Sequence, residues 1–271
     1  MNTTVTRSLS GLVFLAVMIG GLLAGGSWLL GLFGLMLALM LEEFYRMTLG
    51  SAHRTVHYLA LAGAVAAYVL AALSLGLHLI PTRVLALIPL MLVVLLCVMV
   101  FCHQDFKDYA YVLAGLLYIA LPICLVTLLS GHNILILAFF VLIWSSDTGA
   151  YCFGMLLGQK LWPAKLCPTI SPKKSWAGAV GGMVSSLLAA WILQLVGWLP
   201  FPLVHVMAVA VLMNVAGVFG DLFESLWKRH FGLKDSGNLI PGHGGLLDRF
   251  DSALFAIPTG AAYLILNGLI L

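Results

Sequence analysis

Long apolar blocks separated by short polar segments make up most of this chain. Blocks near 57 to 79, 84 to 102, 109 to 130, 132 to 157, 176 to 198, 202 to 227 and 252 to 271 each approach or exceed the roughly 20 residues a helix needs to cross a hydrocarbon core about 30 Å thick. The stretch from Ser8 to Leu41 holds 34 uncharged residues, too many for one straight span and enough for two short ones joined at Gly25 and Gly26. The pattern predicts an all-α, polytopic integral membrane protein with about nine transmembrane helices.

Composition agrees with this reading: 62% of the 271 residues are hydrophobic and 8% charged, with a mean hydropathy of +1.10, outside the range of soluble domains. No polar stretch is long enough for a second, soluble domain. We therefore read residues 1–271 as one membrane domain, with 1–140 as helical scaffold and 141–271 carrying the chemistry. Arg7 and the apolar run to Ala24 mimic a secretory signal; the spans that follow at once make it an uncleaved first helix. The five cysteines form no CxxC pair and read as plain thiols. Nothing points to nucleic acid.

Charge distribution fixes an orientation. Lys and Arg near span ends collect on the cytoplasmic side. With nine spans and a cytoplasmic N-terminus, the inner loops hold Arg7, Arg46, Arg54, Lys107, Lys160, Lys165, Lys173, Lys174, Lys228, Arg229, Lys234 and Arg249, leaving only Arg83 outside. The chemistry is expected to face the cytoplasm, in a bacterial inner membrane.

Nine of the 23 charged residues fall between Asp221 and Asp251. Charge near a bilayer is costly and usually faces a partner, an ion or water. Asp221, Glu224, Ser225 and Lys228 share one helical face, which reads either as an ion-pair ladder or as part of a site. NLIPGHGG, from Asn238 to Gly245, follows; glycines at a helix start let backbone N–H groups converge on an anion, although an ordinary flexible turn has the same composition. Asp248 and Asp251 flank Arg249 three residues apart, and Lys234 and Asp235 precede the loop. Carboxylates beside several basic residues suit a hard cation bound together with substrate phosphates. His243 is open to several roles: phosphate donor, proton handler, loop organiser or metal ligand.

A second polar loop adds to this. Asp147 lies inside an apolar block, and an intramembrane carboxylate is a functional candidate by default. Ser171 and Pro172 look like an N-cap and first helical residue, which would place Lys173 and Lys174 in the first turn of the next helix. Cations there oppose the helix dipole, a conflict that an anion among them would resolve; lysines reaching for anionic headgroups are the plainer reading.

Ser225, Lys228, Arg229, Lys234, Asp235, Gly237, Ile240, Pro241, His243, Gly244, Gly245, Asp248, Arg249 and Asp251 follow the order and spacing of the signature of phosphatidate cytidylyltransferases, the CDP-diacylglycerol synthases. SDTGAY, from Ser146 to Tyr151, and ISPKKSW, from Ile170 to Trp176, resemble the same family, so that the resemblance covers roughly Asp147 to Asp251. Trp227 and Ala177 depart from its usual pattern. The resemblance implies a Mg²⁺-dependent enzyme, with a second cation as an open alternative, usually a homodimer in membrane lipid, that joins CTP to phosphatidic acid with release of pyrophosphate. By the same resemblance, Asp221 and Asp248 are the first metal ligands, with Asp251 and Asp147 weaker ones. Lys228, Arg229 and His243 join the catalytic set. Ser171, Lys173, Lys174, Ser175, Ser225, Lys234, Asp235, Gly244, Gly245 and Arg249 line the substrate phosphates. Rival readings are a CTP-dependent enzyme acting on another lipid phosphate or lipid alcohol, and an ion or metabolite transporter. The transporter should repeat its carboxylates in two halves, and no internal repeat is visible. A CDP-alcohol phosphatidyltransferase would need a DG…AR…G…D…D pattern that is not found.

Overall fold

The computed structural model describes residues 3–50, 53–102, 105–158 and 162–270, with side chains from Ser8 onward apart from that of Cys102. Lys160 and the Arg7 side chain, both counted above as inner charges, lie outside the described residues. In chain order the apolar helices are α1 (Thr3–Ala24), α2 (Gly26–Thr48), α3 (Arg54–Gly76), α4 (Thr82–Phe101), α5 (Phe106–Leu129), α6 (Asn133–Leu156), α7 (Trp176–Leu195), α8 (Leu203–His230) and α9 (Ala253–Leu266). Seven of them, α2 to α8, are long and apolar enough to cross a membrane, which fits a polytopic membrane protein. The described apolar part of α1, Ser8–Ala24, and the 14-residue α9 are shorter.

The joint expected at Gly25 and Gly26 is present: both have positive φ, 65° and 49°, a region that costs glycine little and other residues more. Within α5, Pro122 has no N–H to donate to the preceding turn, and the helix passes through a π turn at Leu116–Ala120 just before it.

By internal contacts the chain divides into two units. The first combines Met1–Asn133 with Asp235–Arg249, so the glycine-rich loop belongs with the N-terminal helices. Its centre is α2, which packs on α1, α3 and α5 and buries Phe33, Leu37, Met40, Phe44 and Tyr45 completely. The Tyr45 hydroxyl donates to the Val112 carbonyl at 3.1 Å and that of Tyr68 to Leu30 at 2.7 Å, satisfying the polar tips of otherwise apolar side chains. Helix α4 keeps little of its surface inside, as suits a helix against hydrocarbon.

The second unit combines Ile134–Lys234 with Phe250–Leu271. Small residues let its helices approach closely: a Cβ at Gly178 would lie 2.9 Å from the Ala150 carbonyl, and one at Gly182 the same distance from that of Ser146, so α6 and α7 cross almost backbone to backbone. Helix α8 packs on α7 and α9, with Gly217 and Gly220 facing the backbone of Ser252 and Asp251.

Two expectations are corrected here. The fold is not wholly helical: β1 (Lys165–Cys167) pairs antiparallel with β2 (Ser171–Ser175), Lys165 opposite Ser175 and Cys167 opposite Ser171. Ser171 and Pro172 therefore do not start a helix, and Lys173 and Lys174 lie on a strand. The cap is Ser175, whose hydroxyl accepts from the Gly178 N–H at 3.1 Å. Serine and proline also suit the first residues of a strand, here the second strand of the hairpin, where a missing N–H costs nothing at an unpaired edge.

Candidate functional site

A cavity of about 690 Å³ opens within the second unit, bounded by α6, the hairpin, α7 and α8, with Ser252 at the start of α9. Asp147 and Tyr151 of α6, Lys173 and Lys174 of β2 and Asp221 of α8 line it. The hairpin supplies what the sequence assigned to a helix start: Lys174 Nζ lies 2.5 Å from Asp221 Oδ2, with a quarter and a third of the two side chains exposed. Ser225 stands one turn along α8, its hydroxyl 3.4 Å from the same carboxylate. Lys173, the neighbour of Lys174 on the strand, also borders the cavity.

Asp251, in the turn preceding α9, accepts from the Ser252 N–H at 2.6 Å. Burial, then the neighbouring Asp221 charge and more weakly that of Asp147, raise its carboxyl above the usual carboxylate range, against the opposing effects of the Ser252 N–H and Lys228. Asp147 and Asp221 both line the cavity, and Asp251 lies close enough to feel the charge of each. Among the described residues no three or more His, Cys, Asp or Glu side chains form a ready metal cluster. Oxygen donors of this kind suit a hard cation that takes one or two carboxylates and completes its shell with phosphate and water.

Part of the ladder on α8 is structural. Glu224 is fully buried and forms an ion pair with Lys228, itself 9% exposed. Arg229 is exposed and donates to the Leu233 carbonyl at 2.9 Å, tying down the end of its own helix; Lys234 is exposed beyond it.

The remaining predicted residues lie in the first unit, where the glycine-rich loop is held by two carboxylates. Asp248 Oδ2 accepts from the backbone N–H groups of Ser236 at 2.9 Å and Gly245 at 2.8 Å. Glu43 of α2, 8% exposed, accepts from the N–H groups of Leu246 and Leu247, each at 2.9 Å. The Ser236 hydroxyl stands 3.1 Å from both Glu43 Oε2 and Asp248 Oδ2, so its single proton serves one at a time. The anion that the converging N–H groups were expected to seek is thus supplied by the chain itself. The glycines are required sterically: a Cβ at Gly237 would lie 2.7 Å from Glu43 Oε1, and one at Gly244, where φ is +84°, 2.6 Å from Asp248 Oδ2. His243 is a fastening point, its Nδ1 3.0 Å from the Ser10 hydroxyl of α1 and its carbonyl accepting from Arg249 Nη2 at 2.8 Å. Asp235 is exposed at the loop's start.

Glu43 escaped the sequence reading, and so did two residues that line the cavity, Ser186 and Asn214. A carboxylate buried in an apolar helix is itself a signal, and the Glu42–Glu43 pair carried it.

Comparison with known proteins places the chain in a family. A family model described as "Cytidylyltransferase family" matches residues 5–267. A Staphylococcus epidermidis protein named phosphatidate cytidylyltransferase is 34% identical over 261 residues, 93% of this chain and 95% of the relative. A Rickettsia bellii protein of the same name is 36% identical over 200 residues, 68% and 85% of the two chains. One from Bacillus subtilis reaches 51% identity over a shorter stretch of 118 residues, 44% of this chain and 42% of the relative.

Proposed function

Because the chain belongs to the cytidylyltransferase family, we propose that it transfers the cytidylyl group of CTP to phosphatidic acid, as its relatives' names state for them. The observation that carries the reading is the cavity in which Lys173 and Lys174 of the hairpin meet Asp147 and Asp221 of membrane helices. Two anionic reactants have to be brought together there. A phosphate oxygen of the lipid forms a bond to the α-phosphorus of CTP, the bond from that phosphorus to the β-phosphate oxygen breaks, and pyrophosphate leaves. The attacking oxygen is already ionised, so positioning and charge neutralisation make up most of the catalysis.

Lys173 and Lys174 hold phosphate oxygens at the cavity mouth. Asp221, with Asp251 or Asp147, supplies carboxylate oxygens that fit Mg²⁺, which when bound would neutralise charge on the nucleotide phosphates. Ser225 steadies the Asp221 carboxylate. Asp248 is ranked with Asp221 for metal coordination by family resemblance, and its Oδ2 also organises the loop from Ser236 to Gly245.

The purified protein, given CTP and Mg²⁺, is expected to release pyrophosphate only when phosphatidic acid is present, with CDP-diacylglycerol as the lipid product. Release of CDP instead would make it a kinase of a lipid alcohol, and release without added lipid would overturn the reading. We extend the proposal to nine crossings with a cytoplasmic N-terminus and hairpin in a bacterial inner membrane, supported by the basic residues counted above, and to a homodimer. Labelling of single cysteines at positions 83 and 173 from either side of the membrane tests the first, and the mass of the detergent-solubilised protein the second.

A further inference from the structure

The inner wall of the cavity carries three uncharged polar side chains, one from each of three apolar helices: Ser146 of α6, Ser186 of α7 and Asn214 of α8. All are buried, at 8%, 1% and 5% exposure. Asn214 Nδ2 donates to Ser146 Oγ at 2.6 Å. The Ser186 hydroxyl has no hydrogen-bond partner among the described residues. A hydroxyl in a membrane helix ordinarily donates to the carbonyl four residues back, as Thr148 does to Trp144 at 2.8 Å and Thr259 to Phe255 at 2.7 Å. Ser186 does not, although it lies one turn beyond Gly182, where a Cβ would stand 3.1 Å from Ser146 Oγ. A buried polar group without a partner calls for an explanation, and in a cavity wall the explanation is a ligand.

The position of the trio indicates what that ligand is. Asn214 precedes Asp221 by seven residues of the same helix, about 10 Å. A molecule seated here meets charge at Lys173, Lys174 and Asp221, then uncharged hydrogen-bonding groups about two helical turns further on, among the aliphatic side chains of Leu142, Ile143 and Met213. An amphiphile with a phosphate, two ester carbonyls and alkyl chains has that order of chemistry. A nucleobase would be expected to stack on an aromatic ring, and the cavity's aromatic lining residue, Tyr151, lies five residues from Ser146 along α6.

Building on the reading of the previous subsection, we propose that Ser146, Ser186 and Asn214 form a subsite for the ester carbonyls of the phosphorylated glycerolipid. The subsite distinguishes diacyl from dialkyl-ether lipid, which carries the same phosphate and chains without the carbonyl acceptors.

The test compares kcat/KM for diacyl phosphatidic acid and its diether analogue in mixed micelles, together with the KM for CTP. The wild-type protein is expected to favour the diacyl lipid by about threefold to tenfold, the worth of one or two neutral hydrogen bonds. Ser186→Ala removes one buried hydroxyl and almost no volume, so the fold survives it; diacyl turnover should fall towards the diether value with KM for CTP unchanged. Asn214→Leu should do the same. Variants that keep the wild-type preference overturn the subsite, as does a raised KM for CTP with the lipid preference intact, which would give the trio to the nucleotide. A wild-type protein that converts neither lipid overturns the function reading and this inference with it, an outcome distinct from conversion without discrimination.

Discussion

In the first unit Glu43 is met on both carboxylate oxygens by groups of the chain itself, and Asp248 is held through Oδ2. Four backbone N–H groups and the Ser236 hydroxyl converge on their oxygens. Asp221 and Asp251 in the second unit receive one backbone N–H, one lysine and a distant hydroxyl. Glu43 and Asp221 lie within long apolar helices, where a charge is expensive. The difference lies in what satisfies them. Glu43, met by backbone donors on both oxygens, fixes a loop and has little left to offer a ligand, whereas Asp221, which lines an open cavity together with Asp147, keeps oxygen lone pairs and negative potential for a cation.

The strongest way to break this comparison is to remove charge from the open set. Asp221→Asn is expected to lower CDP-diacylglycerol formation by about a hundredfold to a thousandfold, the usual loss for a group that stabilises transition-state charge, with thermal unfolding in detergent little changed because the ion pair it loses with Lys174 is partly exposed. A variant that loses activity by unfolding would place Asp221 with Glu43, as a structural carboxylate. Glu43→Ala is the converse. It leaves the Leu246 and Leu247 N–H groups buried and unpartnered, costing about 3 kcal/mol or more, so the thermal midpoint should fall before any catalytic constant is measured. An unchanged midpoint would show that the loop does not depend on its clamp. Lys174→Met, which takes the cation from Asp221 at the hairpin, should raise the KM for CTP or for lipid by about tenfold, the scale of one charge-assisted contact, while leaving the helices intact; an unaltered KM for both would remove Lys174 from the site.

What the chain reveals without coordinates follows the same division. The apolar blocks, the break at Gly25 and Gly26, and the exposure of Asp147 and Asp221 to chemistry are local: each rests on the cost of charge, or on the freedom of glycine, over a few neighbouring residues. The hairpin was missed because SPKKS satisfies a helix-start pattern as well as a strand, and only the pairing of Ser171 with Cys167 and of Ser175 with Lys165 decides between them. Glu43 was passed over for a different reason. Its partners are Ser236, Leu246 and Leu247, about two hundred residues away, and no period in the sequence records a contact of that range. Ser186 and Asn214 were hidden inside apolar runs, where a single polar residue reads as tolerated until three of them share one cavity wall.

The finest discrimination comes from two neighbouring residues. Glu42 precedes Glu43 on α2, yet it is a quarter exposed and pairs with side chains, with Arg46 at 2.7 Å, itself three quarters exposed, and with the buried His57 at 2.6 Å. Exposed pairs four residues apart contribute about 0.3–0.5 kcal/mol, because solvent screens them and two long side chains lose freedom in making them. Arg46→Ala should therefore move the thermal midpoint by no more than about 1 °C or 2 °C and leave product formation untouched, since Glu42 keeps His57. A drop approaching that of Glu43→Ala would mean that the α2 carboxylates act as one charged unit, and that saturation by backbone donors is not what separates the clamp from the surface.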